Sequence, residues 1–155
     1  GCSAGGYLAY MVAVSARNRH VAHRMWVFEK LKGTVESAGM ICPGIKNHPK
    51  GFPGIYFEKH VDNSTEPTRL PEYAYDLNII AEQDSNLRVA VIAGEECFLL
   101  EQNRAFKENV ANVMYYEARN DGELKMFHVF PIAHPEWPQS VKAIETIAEN
   151  AVGRR

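Results

Sequence analysis

The first five residues of the chain, Gly1 to Gly5, form a Gly-x-Ser-x-Gly pattern that runs directly into an apolar stretch. This pattern is typical of a sharp turn between a strand and a helix, in which a serine is held in a cramped backbone conformation. We expect both outer glycines to be required, because a Cβ atom at either position would collide with the strand or the helix. The pattern is short, so the rest of the chain must decide whether Ser3 is a nucleophile or only a helix N-cap.

Strand-like and helix-like segments alternate along the rest of the chain. Short apolar runs predict buried strands at 38–42, 87–94 and 113–118. Helices are predicted from Ala4 to about Lys32, from Phe98 to about Asn109 and from Ser140 to Val152. Apolar strands that alternate with helices predict an α/β fold with a mostly parallel sheet and flanking helices. An unrelated α+β ligand-binding module would instead pair the second and third strands antiparallel.

The first and last predicted helices carry different apolar patterns. The first is apolar on nearly every side between Leu8 and Val14, which is typical of a helix buried in the interior. The last is amphipathic, and we expect its apolar stripe to face the core. That stripe consists of Val141, Ile144, Ala148 and Val152.

The composition is that of an ordinary globular protein. The 155 residues fit a single domain, 1–155, with an irregular, proline-rich cap or loop at about 43–73. A net charge of −2 gives no reason to expect nucleic acid as a partner, and the longest apolar run is far too short to span a membrane. Three cysteines without paired spacing argue against a disulfide framework and favour a reducing, cytoplasmic location.

Two further groups of side chains have both a functional and a structural interpretation. His20 and His23 could ligate a metal from one helix, but the surrounding arginines favour a solvated basic face, so no metal site is predicted. Phe52, Tyr56 and Phe57 lie in the irregular segment and could line a substrate pocket. Packing of these aromatic side chains under a loop is an equally good interpretation.

Three separated segments match one family in the order that its fold requires. They are Ser3 to Ala9, Val89 to Leu99 (VAVIAGEECFL), and Met126 to Phe130 followed by Pro135 to Trp137. The first resembles the nucleophile turn and buried helix of the α/β-hydrolase superfamily, especially its hormone-sensitive-lipase-like serine esterases and lipases. The second resembles that family's penultimate strand and acid loop, and the third resembles its histidine loop. The resemblance implies the C-terminal half of an α/β-hydrolase fold, beginning at the nucleophile turn.

The resemblance also implies an activity, that of a serine carboxylester hydrolase with a Ser-His-acid triad and no cofactor. Ser3 would be the nucleophile, and His128 would be the general base. The backbone N–H of Ala4 would donate to the oxyanion. The substrate would be a small-molecule ester.

The chain departs from the family in two respects. The family's acid position falls on Cys97, whose thiol is neutral near pH 7, although Glu96 or Glu101 could act in its place. Loss of a triad carboxylate costs about 10⁴ in turnover in a well-studied protease. The alternative function is therefore a disabled hydrolase-fold binding or scaffold protein. The strands that precede the serine turn in this family are also absent, so we expect a missing N-terminal half or a complementing chain as partner. We therefore expect the isolated 155 residues to be a weak or inactive enzyme.

Overall fold

The computed structural model describes residues 1–25, 33–46 and 76–153. The strands in these ranges are β1 (Ser37–Ile41), β2 (Arg88–Gly94) and β3 (Val113–Ala118). The helices are α1 (Ala4–Arg17), α2 (Arg19–Arg24), α3 (Leu77–Ala81), α4 (Leu100–Asn109), α5 (Phe130–Ala133) and α6 (Pro138–Val152).

The predicted cap or loop at about 43–73 lies outside the described residues from residue 47 onward. Phe52, Tyr56 and Phe57 fall in that part, so their assignment to a substrate pocket stays a prediction. Among the helices that the structure does describe, none combines the length and the apolar character needed to cross a bilayer.

The three strands form one parallel sheet in the order β1-β2-β3. Ile41 pairs with Ile92, and Gly94 at the end of β2 pairs with Ala118 at the end of β3. The predicted parallel sheet is confirmed, and the antiparallel pairing expected of an α+β module is wrong for β2 and β3. Because the strands are parallel, their carboxyl ends meet at one edge of the sheet, where open α/β sheets carry their sites.

Helices cover both faces of the sheet, and each face has its own cluster of buried side chains. Successive strand residues point to opposite faces, so Met40 belongs to one cluster and Ile41 to the other. The α1-side cluster, formed with α1 to α4, consists of Tyr7, Tyr10, Met11, Ala13, Val14, Val21, Ala38, Met40, Ile45, Leu77, Ile80, Ala81, Leu87, Val89, Val91 and Phe106. The α6-side cluster consists of Ile41, Cys42, Ile92, Cys97, Leu99, Ala118, Met126, Phe130 and Ala143.

The first helix ends earlier than predicted. Asn18 adopts an extended conformation after Arg17, and its side chain accepts hydrogen bonds from the N–H groups of His20 and Val21 at the start of α2. Asparagine is a favoured N-cap residue. The single helix predicted from Ala4 to about Lys32 is therefore wrong at this position.

The first helix is also less buried than predicted. Leu8 and Val12 are 57% and 55% exposed, whereas Tyr10 and Val14 are buried in the α1-side cluster. In the described part of the chain, α1 therefore packs through one face only, and burial on every side is wrong.

The last helix packs on the sheet through a different face from the predicted stripe. The stripe of Val141, Ile144, Ala148 and Val152 is exposed, and the buried residues are Ser140, Ala143, Thr146 and Asn150. A Cβ atom at Gly39 would lie only 2.7 Å from Cγ2 of Ile147, so α6 rests almost directly on β1. Small side chains permit this close approach, and a face of bulky apolar residues would prevent it.

Candidate active site

The N-terminal turn is fixed against the end of β1. The N–H of Ser3 donates to the carbonyl oxygen of Ile41 at 2.8 Å, and the N–H of Ile41 donates to that of Gly1 at 2.9 Å. Cys2 forms a parallel bridge with Ile41, so the residues before the turn extend the sheet beyond β1. Ser3 therefore lies at the carboxyl edge of the sheet, directly before α1.

Ser3 has the strained backbone expected of a nucleophile turn. Its φ of 50° and ψ of −124° form a combination that residues other than glycine rarely adopt. Ser3 occupies the N-cap position of α1, but its side chain makes no capping hydrogen bond. The hydroxyl is therefore not used as an ordinary helix cap. Ala4, the proposed oxyanion donor, is the first residue of α1, where N–H groups have no partner within the helix.

Only one of the two outer glycines of the turn is required by its contacts. A Cβ atom at Gly1 would lie 2.2 Å from the carbonyl oxygen of Gly5. A Cβ atom at Gly5 would meet nothing within 4 Å among the described residues, so the predicted collision is wrong there. The crowded position is instead Gly6, whose Cβ would lie 3.3 Å from Cβ of Pro43.

The loop that carries His128 packs directly on the end of β2. A Cβ atom at Gly94 would lie 2.2 Å from the carbonyl oxygen of Met126, so only glycine permits this approach. The N–H of Glu96 donates to the same carbonyl oxygen at 2.9 Å, and the N–H of Met126 donates to Oδ1 of Asn120 at 2.8 Å. These contacts hold His128 beyond the carboxyl ends of β2 and β3.

Aromatic packing anchors the same loop. The rings of His134 and Trp137 are stacked with their centroids 4.1 Å apart, and the ring of Phe127 stands edge-on to both. The residue after His128, Val129, has a φ of 57°, which is rare for a β-branched residue. The backbone on both sides of the histidine is therefore tightly constrained.

His128 lies against two buried thiols. Its Nδ1 is 3.2 Å from Sγ of Cys97. The Sγ atoms of Cys42 and Cys97 and a ring nitrogen of His128 all lie within 4.8 Å of one another. Cys42 follows Ile41, the residue that accepts the hydrogen bond from Ser3. The serine turn and the histidine loop therefore both lie at the carboxyl edge of the sheet, near the end of β1.

Burial and hydrogen bonding determine the charges in this cluster. Burial lowers the pKa of His128, which favours the neutral imidazole near pH 7. A hydrogen bond with Cys42, followed by burial, raises the pKa of Cys97 well above the usual range of a thiol. The bond from Cys97, with backbone N–H groups of Val129 and Gly94, lowers the pKa of Cys42 to about 7 although burial opposes this. Cys97 is therefore the neutral thiol of the pair.

The two candidate carboxylates are engaged elsewhere. Glu96 pairs with Lys125 at 3.3 Å and accepts a hydrogen bond from Asn120 at 3.0 Å. Glu101 pairs with Arg104 at 2.7 Å, and its side chain is 82% exposed. Of the three candidates for the acid position, Cys97 is the one whose side chain contacts the imidazole within the described residues.

Sequence reasoning misses the part that Cys42 plays. A single cysteine at the end of a predicted strand is most simply interpreted as a small buried hydrophobe, so Cys42 is not among the predicted site residues. The position of Cys42 after a predicted strand is the sequence signal that could have identified it. Cys42, Cys97 and His128 each follow a different strand of one parallel sheet, and the carboxyl ends of those strands meet.

The fold of this chain is similar to those of known proteins, although its sequence is not. No family model and no curated protein matches the sequence. Esterase B from Lactobacillus rhamnosis, solved in an inhibited form, matches with a TM-score of 0.77 and 18% identity over 98% of this chain and 52% of its own. An esterase from Pyrobaculum calidifontis matches with a TM-score of 0.64 and 17% identity, over 99% of this chain and 51% of its own. A fungal esterase structure from Rhizomucor miehei matches with a TM-score of 0.61 and 15% identity, over 97% of this chain and 49% of its own.

The chain has the C-terminal half of an α/β-hydrolase fold. It spans about half the length of each solved structure that it matches. The predicted nucleophile Ser3, the predicted acid position Cys97 and the predicted general base His128 stay predictions, and their order along the chain is the order used by this fold.

Proposed function

We propose that the chain carries the nucleophile and the general base of a serine carboxylester hydrolase. The observation that supports this most directly is that two strained segments, at Ser3 and at Val129, lie at the same edge of the sheet. The Ser3 turn is bonded to the end of β1, and His128 lies against Cys42, the next residue after that strand. The three solved structures compared above are esterases with the same half fold, at 15–18% identity.

The proposed chemistry assigns one role to each nitrogen of His128. Nε2 takes the proton of the Ser3 hydroxyl as that oxygen attacks the ester carbonyl, and it later returns a proton to the leaving alcohol. The N–H of Ala4 donates to the oxyanion that forms. Nδ1–H faces Sγ of Cys97 at 3.2 Å, where the sulfur acts as a weak acceptor and orients the ring.

Cys97 limits the rate of this reaction. A neutral thiol supplies no negative charge to stabilise the imidazolium that forms when Ser3 attacks. Removal of a whole triad costs about 10⁶ in turnover, and loss of its acid alone costs about 10⁴. The chain should therefore hydrolyse esters only about 100-fold faster than a variant without the nucleophile.

The alternative proposal is a hydrolase-fold binding or scaffold protein. It is favoured by one observation, the thiol at the position where the fold carries a carboxylate. A chain that binds an ester or another small molecule without turning it over would fit this alternative.

Turnover of p-nitrophenyl butyrate by the reduced, chelator-treated chain tests the proposal. We expect Ser3→Ala to abolish turnover above background, a loss of about 100-fold. Ser85→Ala is the matched control, because Ser85 lies in an exposed turn away from the carboxyl edge. Turnover above background that is equal in the wild type and Ser3→Ala would exclude Ser3 as nucleophile. Binding of the ester without any turnover would favour the scaffold alternative.

A further inference from the structure

We propose that Cys42, Cys97 and His128 form a binding site for a thiophilic divalent metal ion, with Zn²⁺ as the ion that fits best. The three side chains come from separate parts of the sequence. Their donor atoms, two sulfurs and one ring nitrogen, nevertheless lie within 4.8 Å of one another. Thiolate and imidazole are the donors from which protein zinc sites are built.

The spacing of the donors suits one ion between them. Zinc binds thiolate at about 2.3 Å and imidazole at about 2.1 Å, so two donors of a tetrahedral site are separated by about 3.6–3.8 Å. The Sγ of Cys97 and Nδ1 of His128 are 3.2 Å apart, and the other pairs lie within 4.8 Å. Side-chain adjustments of a few tenths of an ångström to about one ångström would bring all three to the ideal separation.

The three donors differ in solvent exposure: two are buried and one is partly exposed. Cys42 and Cys97 are 0% and 4% exposed within the α6-side cluster, whereas His128 is half-buried. The two thiols are thus held in a dry, apolar environment, and the imidazole borders solvent. Three protein donors with one solvent-facing position is the arrangement in which a water molecule completes a zinc site.

The backbone supports the donors from outside the cluster. The N–H of Leu99 donates to Sγ of Cys97 at 3.4 Å, a contact that stabilises negative charge on the sulfur. Cys42 is held by the bond from its own N–H to the carbonyl oxygen of Ile92 at 2.7 Å. Both thiols would release their protons to solvent as the ion binds.

Metal binding and ester hydrolysis use the same imidazole in different ways. An ion on Nδ1 leaves the proton of the neutral ring on Nε2, which can then no longer accept the proton of Ser3. Metal binding does not require Ser3 to react. The two proposals can therefore be tested separately, and failure of one does not decide the other.

Titration with Co²⁺, followed by displacement with Zn²⁺, tests the metal site in the reduced chain after chelator treatment and desalting. We expect one Co²⁺ per chain, with the intense sulfur-to-cobalt absorption of a tetrahedral thiolate site, and full displacement by one Zn²⁺. Cys42→Ser and Cys97→Ser should each weaken Zn²⁺ binding at least about 100-fold, since loss of an outer contact alone costs 10–100-fold. Zn²⁺ should also raise the unfolding temperature of the wild type but not of these variants.

Cys2→Ser is the matched control. Cys2 is the remaining cysteine of the chain, and it packs against the α6-side cluster but is not one of the three proposed donors. It should bind Zn²⁺ as the wild type does, and Ser3→Ala should do the same. The wild-type spectrum decides the question even if a cysteine variant fails to fold. A folded, reduced wild type without sulfur-to-cobalt absorption would overturn the proposal. Binding that persists in both Cys42→Ser and Cys97→Ser would overturn it as well.

Discussion

The two buried clusters lie on opposite faces of one sheet and differ in what they contain. The α1-side cluster is built from aliphatic and aromatic side chains together with the thioethers of Met11 and Met40. The α6-side cluster includes two thiols, Cys42 and Cys97, whose sulfur atoms lie within 4.8 Å of a ring nitrogen of the half-buried His128. Apart from the phenol groups of Tyr7 and Tyr10, the side chains of the first cluster carry no titratable group. The second places polarizable, titratable atoms at the carboxyl edge, where the serine turn also ends.

Cys97→Asp should produce the largest change of any single substitution, and it acts on the α6-side cluster. An aspartate carboxylate beside Nδ1 of His128 would stabilise the imidazolium that the neutral thiol cannot. We expect ester turnover to rise by about 10²–10⁴-fold at pH 7 in chelator-treated protein, as measured with p-nitrophenyl butyrate. Ser85→Asp is the control and should give no gain, because Ser85 lies in an exposed turn away from the carboxyl edge. A Cys97→Asp variant that is folded and no faster than the wild type would contradict the assignment of Cys97 to the acid position.

A pair of alanine substitutions tests whether the α1-side cluster carries more of the stability. Met40→Ala removes a fully buried side chain and should lower the free energy of unfolding by about 2–5 kcal/mol. Cys42→Ala removes one sulfur atom from the other face and should cost about 1 kcal/mol in metal-free protein. Urea denaturation followed by circular dichroism measures both. Equal losses would contradict the expectation that the larger side chain, Met40, contributes more to stability than Cys42.

A pair of glycine substitutions gives the smallest expected changes and tests how the histidine loop is held. Gly94→Ala forces a Cβ atom against the carbonyl oxygen of Met126, so it should destabilise the chain by about 1–3 kcal/mol and displace the loop. Gly5→Ala meets nothing within 4 Å in the described structure and should stabilise α1 by up to about 1 kcal/mol. The same urea experiment measures both variants. Equal stability of the two would contradict the close approach at Gly94.

Strand positions were predictable because each strand is a continuous apolar run. The strand predicted at 113–118 matches β3 at both ends. The strand predicted at 87–94 begins one residue before β2, and the strand predicted at 38–42 is shifted by one residue at both ends relative to β1. The break at Asn18 was harder to predict, since an asparagine N-cap can also be tolerated within a helix. The buried face of α6 was not predictable from hydrophobicity, because close approach to Gly39 selects small side chains there.

For the candidate site too, some features were predictable from local sequence and others were not. The positions of Ser3, Cys97 and His128 follow from local motifs that each span a few residues. The contacts among Cys42, Cys97 and His128 depend on which strands are neighbours, and no local pattern in the sequence carries that information. The engagement of Glu96 by Lys125 and of Glu101 by Arg104 is likewise a tertiary result.

Covalent labelling with a p-nitrophenyl alkylphosphonate tests most directly whether the serine and the histidine act together. Peptide mapping by mass spectrometry of the reduced, chelator-treated chain should find one adduct, on Ser3. The rate of labelling should fall at least about 100-fold in His128→Gln, because the hydroxyl then loses its general base. An adduct confined to other residues, or labelling of Ser3 at the same rate in His128→Gln, would contradict a shared site at the carboxyl edge of the sheet.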